Sequence, residues 1–237
     1  MHPSAMTSAD AMVTQYASTE RLATRRGVWG PGPEGISPMV VLVETIVATR
    51  PHSVVEIGCG TGHLARSILD ALPGVDYLAT DLSPAMVRSA TSLGVPAAVA
   101  RADALPVPDR SSDVAVAAWM LYHVPDVDAV LRELRRVLRP GGLLVVATNG
   151  EHHLADLLRE AGGEPLVTDF TAEAAAPLLR RHFDEVSQRD IETRATFDDH
   201  AAAAGYLATF DPALARSLPH VDGPRSYAGH TAILTAR

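Results

Sequence analysis

The segment that most constrains this chain is Ser53-Val-Val-Glu-Ile-Gly58-Cys-Gly60-Thr-Gly62, a short β-branched run that breaks into alternate glycines. Such a run suits a strand that is apolar on both faces. Glycines directly after it form a tight strand-to-helix turn whose backbone a ligand can approach closely. Strands and helices then alternate. Residues 64–72 read as a helix stopped by Pro73-Gly74, and residues 75–80 as a second strand. Ser83-Pro84 opens the next helix, with serine as N-cap and proline in the first turn. Residues 97–100 and 113–118 are the third and fourth strands. Residues 126–138 place Val127, Val130, Leu131, Leu134 and Val137 on one helical face. Arg139-Pro-Gly-Gly142 ends that helix, and residues 143–148 form a continuous apolar fifth strand. Apolar strands alternating with helices specify a parallel sheet covered on both faces.

The flanks are looser. Residues 4–26 read as short helices, 29–38 as a Gly/Pro-rich loop (WGPGPEGISP), and 39–49 as a helix feeding the core. Beyond residue 150, 154–160, 172–182 and 199–210 read as helices, 186–196 alternates like a strand, and 230–236 is a last strand.

Bulk properties exclude several functions. The chain has 237 residues, of which 47% are hydrophobic, enough for a sizeable core. No apolar run reaches the ~18 residues of a membrane span, and residues 1–19 lack a basic segment leading into an apolar one. The net charge of -8 argues against a phosphate-rich partner. One cysteine excludes an intrachain disulfide and a cysteine-cluster metal site, so a reducing cytoplasm is the expected location. All 20 basic residues are arginine. Without lysine there is no Schiff-base former and no P-loop lysine, which removes pyridoxal enzymes and P-loop NTPases.

A parallel sheet binds ligands at the carboxyl ends of its strands. The loop Glu56-Ile57-Gly58-Cys59-Gly60-Thr61-Gly62 stands at the first such end. Its spacing is G-x-G-x-G, and His63 stands where the dinucleotide fingerprint requires glycine. Glu56 suits a cationic ligand better than a pyrophosphate. An ordinary strand-to-helix turn is the other reading of such a loop. Asp81 closes the second strand, where an acid can accept hydrogen bonds from two ribose hydroxyls or cap the next helix. Asp103, in Arg101-Ala-Asp-Ala-Leu-Pro106, ends the third strand, within reach of an adenine amino group. Trp119-Met-Leu-Tyr-His123 follows the fourth and faces the substrate side.

These segments, VVEIGCGTG (54–62), ATDLSPAMV (79–87), RADALPVPD (101–109) and MLYHVPDVDAVLRELRRVLRPGGLLVVA (120–147), closely resemble the class I S-adenosylmethionine-dependent methyltransferases. The likeness is greatest to the type 11 branch, which includes ubiquinone and menaquinone C-methylases, and it covers residues 40–150. It implies an α/β, Rossmann-like, seven-stranded and mostly parallel sheet of order 3-2-1-4-5-7-6. The last strand is antiparallel, and helices cover both faces. It implies one domain over residues 1–237, with an N-terminal helical lid (1–38), a cofactor-binding core (39–150) and a C-terminal half carrying substrate-site insertions (151–237).

The resemblance also implies a cofactor, S-adenosyl-L-methionine, and its site. The expected cofactor-binding residues are Tyr16, which covers the methionyl end, with Glu56, Gly58, Cys59, Gly60, Asp81, Leu82, Met86, Asp103, Ala104 and Trp119. Trp29, Tyr122, His152 and Tyr206 are the expected substrate residues, with Arg21 and Arg25 in the lid as partners for a carboxylate. The expected partner is a small-molecule acceptor, with no metal, nucleic acid or membrane, in a monomer or homodimer. The sulfonium activates the methyl group, so the protein must mainly position the nucleophile and exclude water. Where the nucleophile must lose a proton, His123 is the candidate base; a structural histidine in the turn is the other reading. A nicotinamide oxidoreductase, an RNA or protein methyltransferase, and a cofactor-retaining protein without turnover are the competing functions.

Overall fold

The computed structural model describes Thr24, residues 27–165 and residues 168–237. Its elements begin with a short strand, β1 (Trp29–Pro31), then α1 (Pro38–Ala48) and the strand β2 (Ser53–Ile57). They continue through α2 (His63–Ala71), β3 (Asp76–Asp81), α3 (Pro84–Ser92), β4 (Ala97–Val99) and β5 (Ser112–Ala118). A 3-10 turn (Leu121–His123) leads to α4 (Val127–Val137) and β6 (Leu138–Asn149). The C-terminal half holds α5 (Ala155–Glu160), α6 (Ala172–Leu179), β7 (Val186–Phe197), α7 (His200–Ala208), α8 (Pro212–Ser217) and β8 (Arg225–Ala236).

The strands form one sheet of order β1-β7-β8-β6-β5-β2-β3-β4. β2 pairs parallel with β3 and β5, β3 with β4, and β5 with β6. β8 is antiparallel to both β6 and β7. The expected 3-2-1-4-5-7-6 arrangement is therefore present as β4-β3-β2-β5-β6-β8-β7. One correction is an eighth strand: β1 pairs antiparallel with β7 at the sheet edge, through Trp29↔Ala195 and Pro31↔Thr193. The segment 29–38 reads as a loop because of its glycines and prolines, yet an edge strand accommodates proline without losing a ladder bond.

Boundaries shift elsewhere. β6 starts at Leu138, before the Pro-Gly-Gly run, because Leu138 pairs with Ser112 and residues 139–142 bulge out before Leu143 pairs with Val114. β8 is longer than 230–236 because it pairs with β7 along its whole length, from Arg225 to Ala236. α6 stops at Leu179 rather than at 182.

Side-chain alternation sorts the core onto the two faces. Val55, Ile57, Ala115, Ala117, Leu144 and Val146 pack with Leu131 and Leu134 of α4. Val54, Val114, Val116 and Val145 pack with Leu42, Ile46, Leu64 and Ile68 of α1 and α2. Each such valine, leucine or isoleucine contributes about 1.5–3 kcal/mol by leaving water. A third cluster joins Ala195 and Phe197 of β7 to α5 and α7. This packing fixes the carboxyl ends of β2, β3, β5 and β6 along one edge of the sheet. Among the described residues, no helix is long and apolar enough to cross a membrane.

Candidate functional site

A cavity of about 580 Å³ lies along that edge. Its floor is the glycine loop. Gly58 has φ +62° and Gly62 has φ +81°, a region open mainly to glycine. Space imposes the same choice. A Cβ on Gly58 would lie 2.7 Å from the Cβ of Met120, and one on Gly62 would lie 2.7 Å from the Cβ of Ala90. The first glycine thus lets the tip of β5 close over the loop. The last lets α3 pack against the start of α2. The Cys59 N–H donates to the Thr80 carbonyl at 3.0 Å, which ties the loop to β3.

Glu56 precedes the loop, is 2% exposed and lines the cavity. The Tyr77 hydroxyl donates to its Oε2 at 2.8 Å. Burial pushes the Glu56 carboxyl up to about 7; the nearby Asp81 adds to this and the Tyr77 hydrogen bond opposes it. Burial also raises the Cys59 thiol far above its ordinary value, so this residue packs and does not act as a thiolate.

Asp81 lines the cavity and accepts hydrogen bonds from the backbone of Gly60, Leu82 and Ser83. Its Oδ2 accepts the Gly60 N–H at 2.9 Å and its Oδ1 accepts the Ser83 N–H at 2.8 Å. Burial raises its carboxyl while the bonds from Ser83 and Gly60 oppose the rise. Ser83 caps α3 by accepting the Met86 N–H at 3.4 Å. Asp81 therefore fastens the glycine loop and does not serve as the cap. Leu82 is 40% exposed and lines the cavity, whereas Met86 is fully buried and outside the lining. Asp103 lines it too, held by Arg101 through Nε–Oδ1 (2.9 Å) and Nη2–Oδ2 (2.6 Å). That bidentate hydrogen bonding holds the Asp103 carboxyl below the usual carboxylate range. Ala104 closes this turn with its N–H on the Arg101 carbonyl at 3.2 Å and does not line the cavity.

At the other end, Trp119 (φ +52°), Tyr122 and His123 line the cavity beyond β5. The Tyr122 and His123 rings meet edge-on, with centroids 4.4 Å apart. Trp29 and Tyr206 also line it. His152 is exposed and outside the lining, and the next residue, His153, occupies the place expected for it. The His153 ring stacks on Trp29 at 4.2 Å, with its Nδ1 on the backbone of His230, 3.1 Å from the oxygen and 3.3 Å from the nitrogen. Burial pushes the His153 imidazole down to about 4. Tyr16, Arg21 and Arg25 lie outside the described residues.

The structure adds His153, Asn149, Thr193, Thr231 and Phe210 to the lining. One of these left a signal in the sequence. Along β7, Ile191, Thr193, Ala195 and Phe197 share the buried phase, so Thr193 is a polar residue in an apolar row.

Residues 55–146 match the protein family described as "Methyltransferase domain". The 23S rRNA (guanine(748)-N(1))-methyltransferase of Streptomyces fradiae is 34% identical over 157 residues, covering 65% of this chain and 53% of that protein. The malonyl-acyl-carrier protein O-methyltransferase of Methylococcus capsulatus is 35% identical over 112 residues, covering 45% of this chain and 41% of that protein. The chain thus spans about half the length of the curated relatives it matches. Among solved structures, the cyclase SpnF shares the fold at a TM-score of 0.66 and 19% identity, covering 98% of this chain and 96% of that one.

Proposed function

Residues 55–146 belong to the type 11 branch of the class I S-adenosylmethionine-dependent methyltransferases, and from that premise we propose that this chain transfers a methyl group from S-adenosylmethionine to a small organic acceptor. One observation carries the reading: Glu56, Asp81, Asp103 and Trp119, from the ends of successive strands, line one cavity. The donor set fits the cofactor. A buried carboxylate at Glu56 suits an ammonium, and the acceptor carboxylate of Asp81 in the cavity wall suits vicinal hydroxyls. Exposed Leu82 and Asp103, both in the lining, suit a flat base with an amino group. When bound, S-adenosylmethionine supplies a methyl group activated by its sulfonium.

The protein's own residues do the rest. Glu56 and Asp81 bind and orient, and the aromatic end of the cavity excludes water. His123 takes the acceptor's proton where one must leave. Among the described residues lining the cavity, Arg101 is the one arginine, a lining poor in the cations that phosphate binding uses. With the net charge of -8, this favours a small molecule over RNA. We place the reaction in one domain spanning residues 1–237, in the cytoplasm. SpnF, described as a cyclase, shares the fold, so turnover needs its own assay.

Calorimetric titration with S-adenosylhomocysteine tests the reading. The wild type binds it, and Asp81→Ala weakens binding by about 10-fold or more, the scale of a lost hydrogen bond to a charged group. Equal affinity in Asp81→Ala, or binding of NADH in place of S-adenosylhomocysteine, refutes it.

A further inference from the structure

We infer that the methyl acceptor is an uncharged, ring-bearing molecule with a hydroxyl or carbonyl oxygen, seated against Trp29, His153 and Tyr206. This rests on the methyl-transfer reading and goes on to the acceptor's chemistry.

The two ends of the cavity differ in charge. Glu56, Asp81, Arg101 and Asp103 line the cofactor end. Past β5, Tyr122, His123 and Asp126 line the cavity, whereas on the side of β1, β7 and β8 the described lining residues are aromatic, aliphatic, or neutral and polar: Trp29, Asn149, Thr193, Tyr206, Phe210 and Thr231. His153 belongs to this neutral set, since burial makes its imidazole hard to protonate. A carboxylate or ammonium placed there would leave water and meet no opposite charge among the described residues of that side, a strongly unfavourable exchange.

The walls are flat. Trp29 and His153 are stacked with an interplanar angle of 26°, and the Tyr206 and Phe210 rings lie 5.3 Å apart. Such rings pair well with another ring. Polar capacity is limited, and Thr193 holds an uncommitted part of it. Thr193 is 5% exposed, and its Oγ1 is buried without a hydrogen-bond partner. Thr231 differs, because its hydroxyl donates to Asn149 Oδ1 at 3.1 Å. In His153, Nδ1 is turned onto the His230 backbone, so Nε2 is the ring nitrogen that this contact does not use. A buried polar group is retained at a cost unless something pairs with it. An oxygen on a neutral ring supplies that pairing without bringing charge.

The test uses three probes that share a phenol ring, on the full chain saturated with S-adenosylhomocysteine near neutral pH. These are 4-hydroxybenzamide (neutral), 4-hydroxybenzoate (anionic) and tyramine (cationic), followed by quenching of tryptophan fluorescence. The neutral probe should bind about 10-fold or more tightly than either charged one. His153→Phe keeps the stack and removes the nitrogens, and should weaken the neutral probe about 10-fold with S-adenosylhomocysteine affinity unchanged. Thr193→Val, of the same shape, should weaken it in the same direction. Preference for a charged probe, or no binding by any of the three, overturns the acceptor inference while S-adenosylhomocysteine binding stands. Failure to bind S-adenosylhomocysteine overturns the methyl-transfer reading itself.

Discussion

Replacing Glu56 with glutamine should make the ligand-free protein more stable and make it a poorer binder. Glu56 is 2% exposed and its carboxyl is raised from an ordinary 4.5 to about 7, chiefly by burial. The sign follows from linkage. A carboxyl with a raised folded pKa holds its proton more tightly in the native state, so the native state loses relative stability as pH rises from about 4.5 to about 7. Above pH 7 the full penalty applies, about 3 kcal/mol at 1.36 kcal/mol per unit. Glutamine keeps an acceptor for the Tyr77 hydroxyl, now at 2.8 Å, and never ionises. Glu56→Gln should therefore gain about 1 kcal/mol over wild type at pH 5.5 and about 3 kcal/mol at pH 8. At pH 8 this corresponds to a rise in Tm of roughly 6–12 °C for a domain of this size. Urea unfolding at the two pH values measures the gap. A gap that does not change with pH, or a variant less stable than wild type at pH 8, refutes the buried-carboxyl argument. With saturating S-adenosylhomocysteine the order should reverse, because its ammonium stabilises the ionised Glu56 and has no partner in the variant. Wild-type affinity should fall about 10-fold per pH unit below the Glu56 midpoint, since binding then requires release of a proton.

Other expectations concern the same cavity. Gly58→Ala meets Met120 at 2.7 Å and a φ of +62°, so it should lower the urea-unfolding free energy by about 1–3 kcal/mol and weaken S-adenosylhomocysteine in calorimetry. His153 has its imidazole depressed from 6.5 to about 4, so wild type should lose stability as pH falls through that window. His153→Gln should flatten that loss by up to about 3 kcal/mol in urea unfolding between pH 7 and pH 4; parallel curves for the two proteins would sink the argument. Arg101→Ala removes an exposed partner of Asp103, whose side chain is 30% exposed. It should change the unfolding free energy by less than about 1 kcal/mol and leave methyl transfer within a few-fold of wild type.

What the sequence made legible was local. The glycine spacing, Asp81 after β3 and Asp103 after β4 are each set within a few residues of a strand end, so their positions on the sheet edge follow from the strand pattern. What it hid depends on distant partners. Trp29–Pro31 becomes a strand only because Thr193–Ala195 offers it a free edge. The choice between His152 and His153 is made by the His230 backbone, which takes the His153 ring nitrogen from 77 residues away. Asp81 has a second task that no motif announces: it holds Gly60 through a hydrogen bond spanning 21 residues. Met86 sits in a motif that suggested ligand contact, yet packing beneath α3 buries it fully. The polar phase of Thr193 was visible in the alternation, but its place beside Trp29 and Gly229 required the sheet.

A crystal structure with S-adenosylhomocysteine bound tests the central claim most directly. The account predicts the ribose hydroxyls on the Asp81 carboxylate, the ammonium beside Glu56, and the thioether sulfur facing the end of the cavity lined by Tyr122, His123 and His153. A ligand held elsewhere, or an adenosyl group seated between Trp29 and Tyr206, would contradict it.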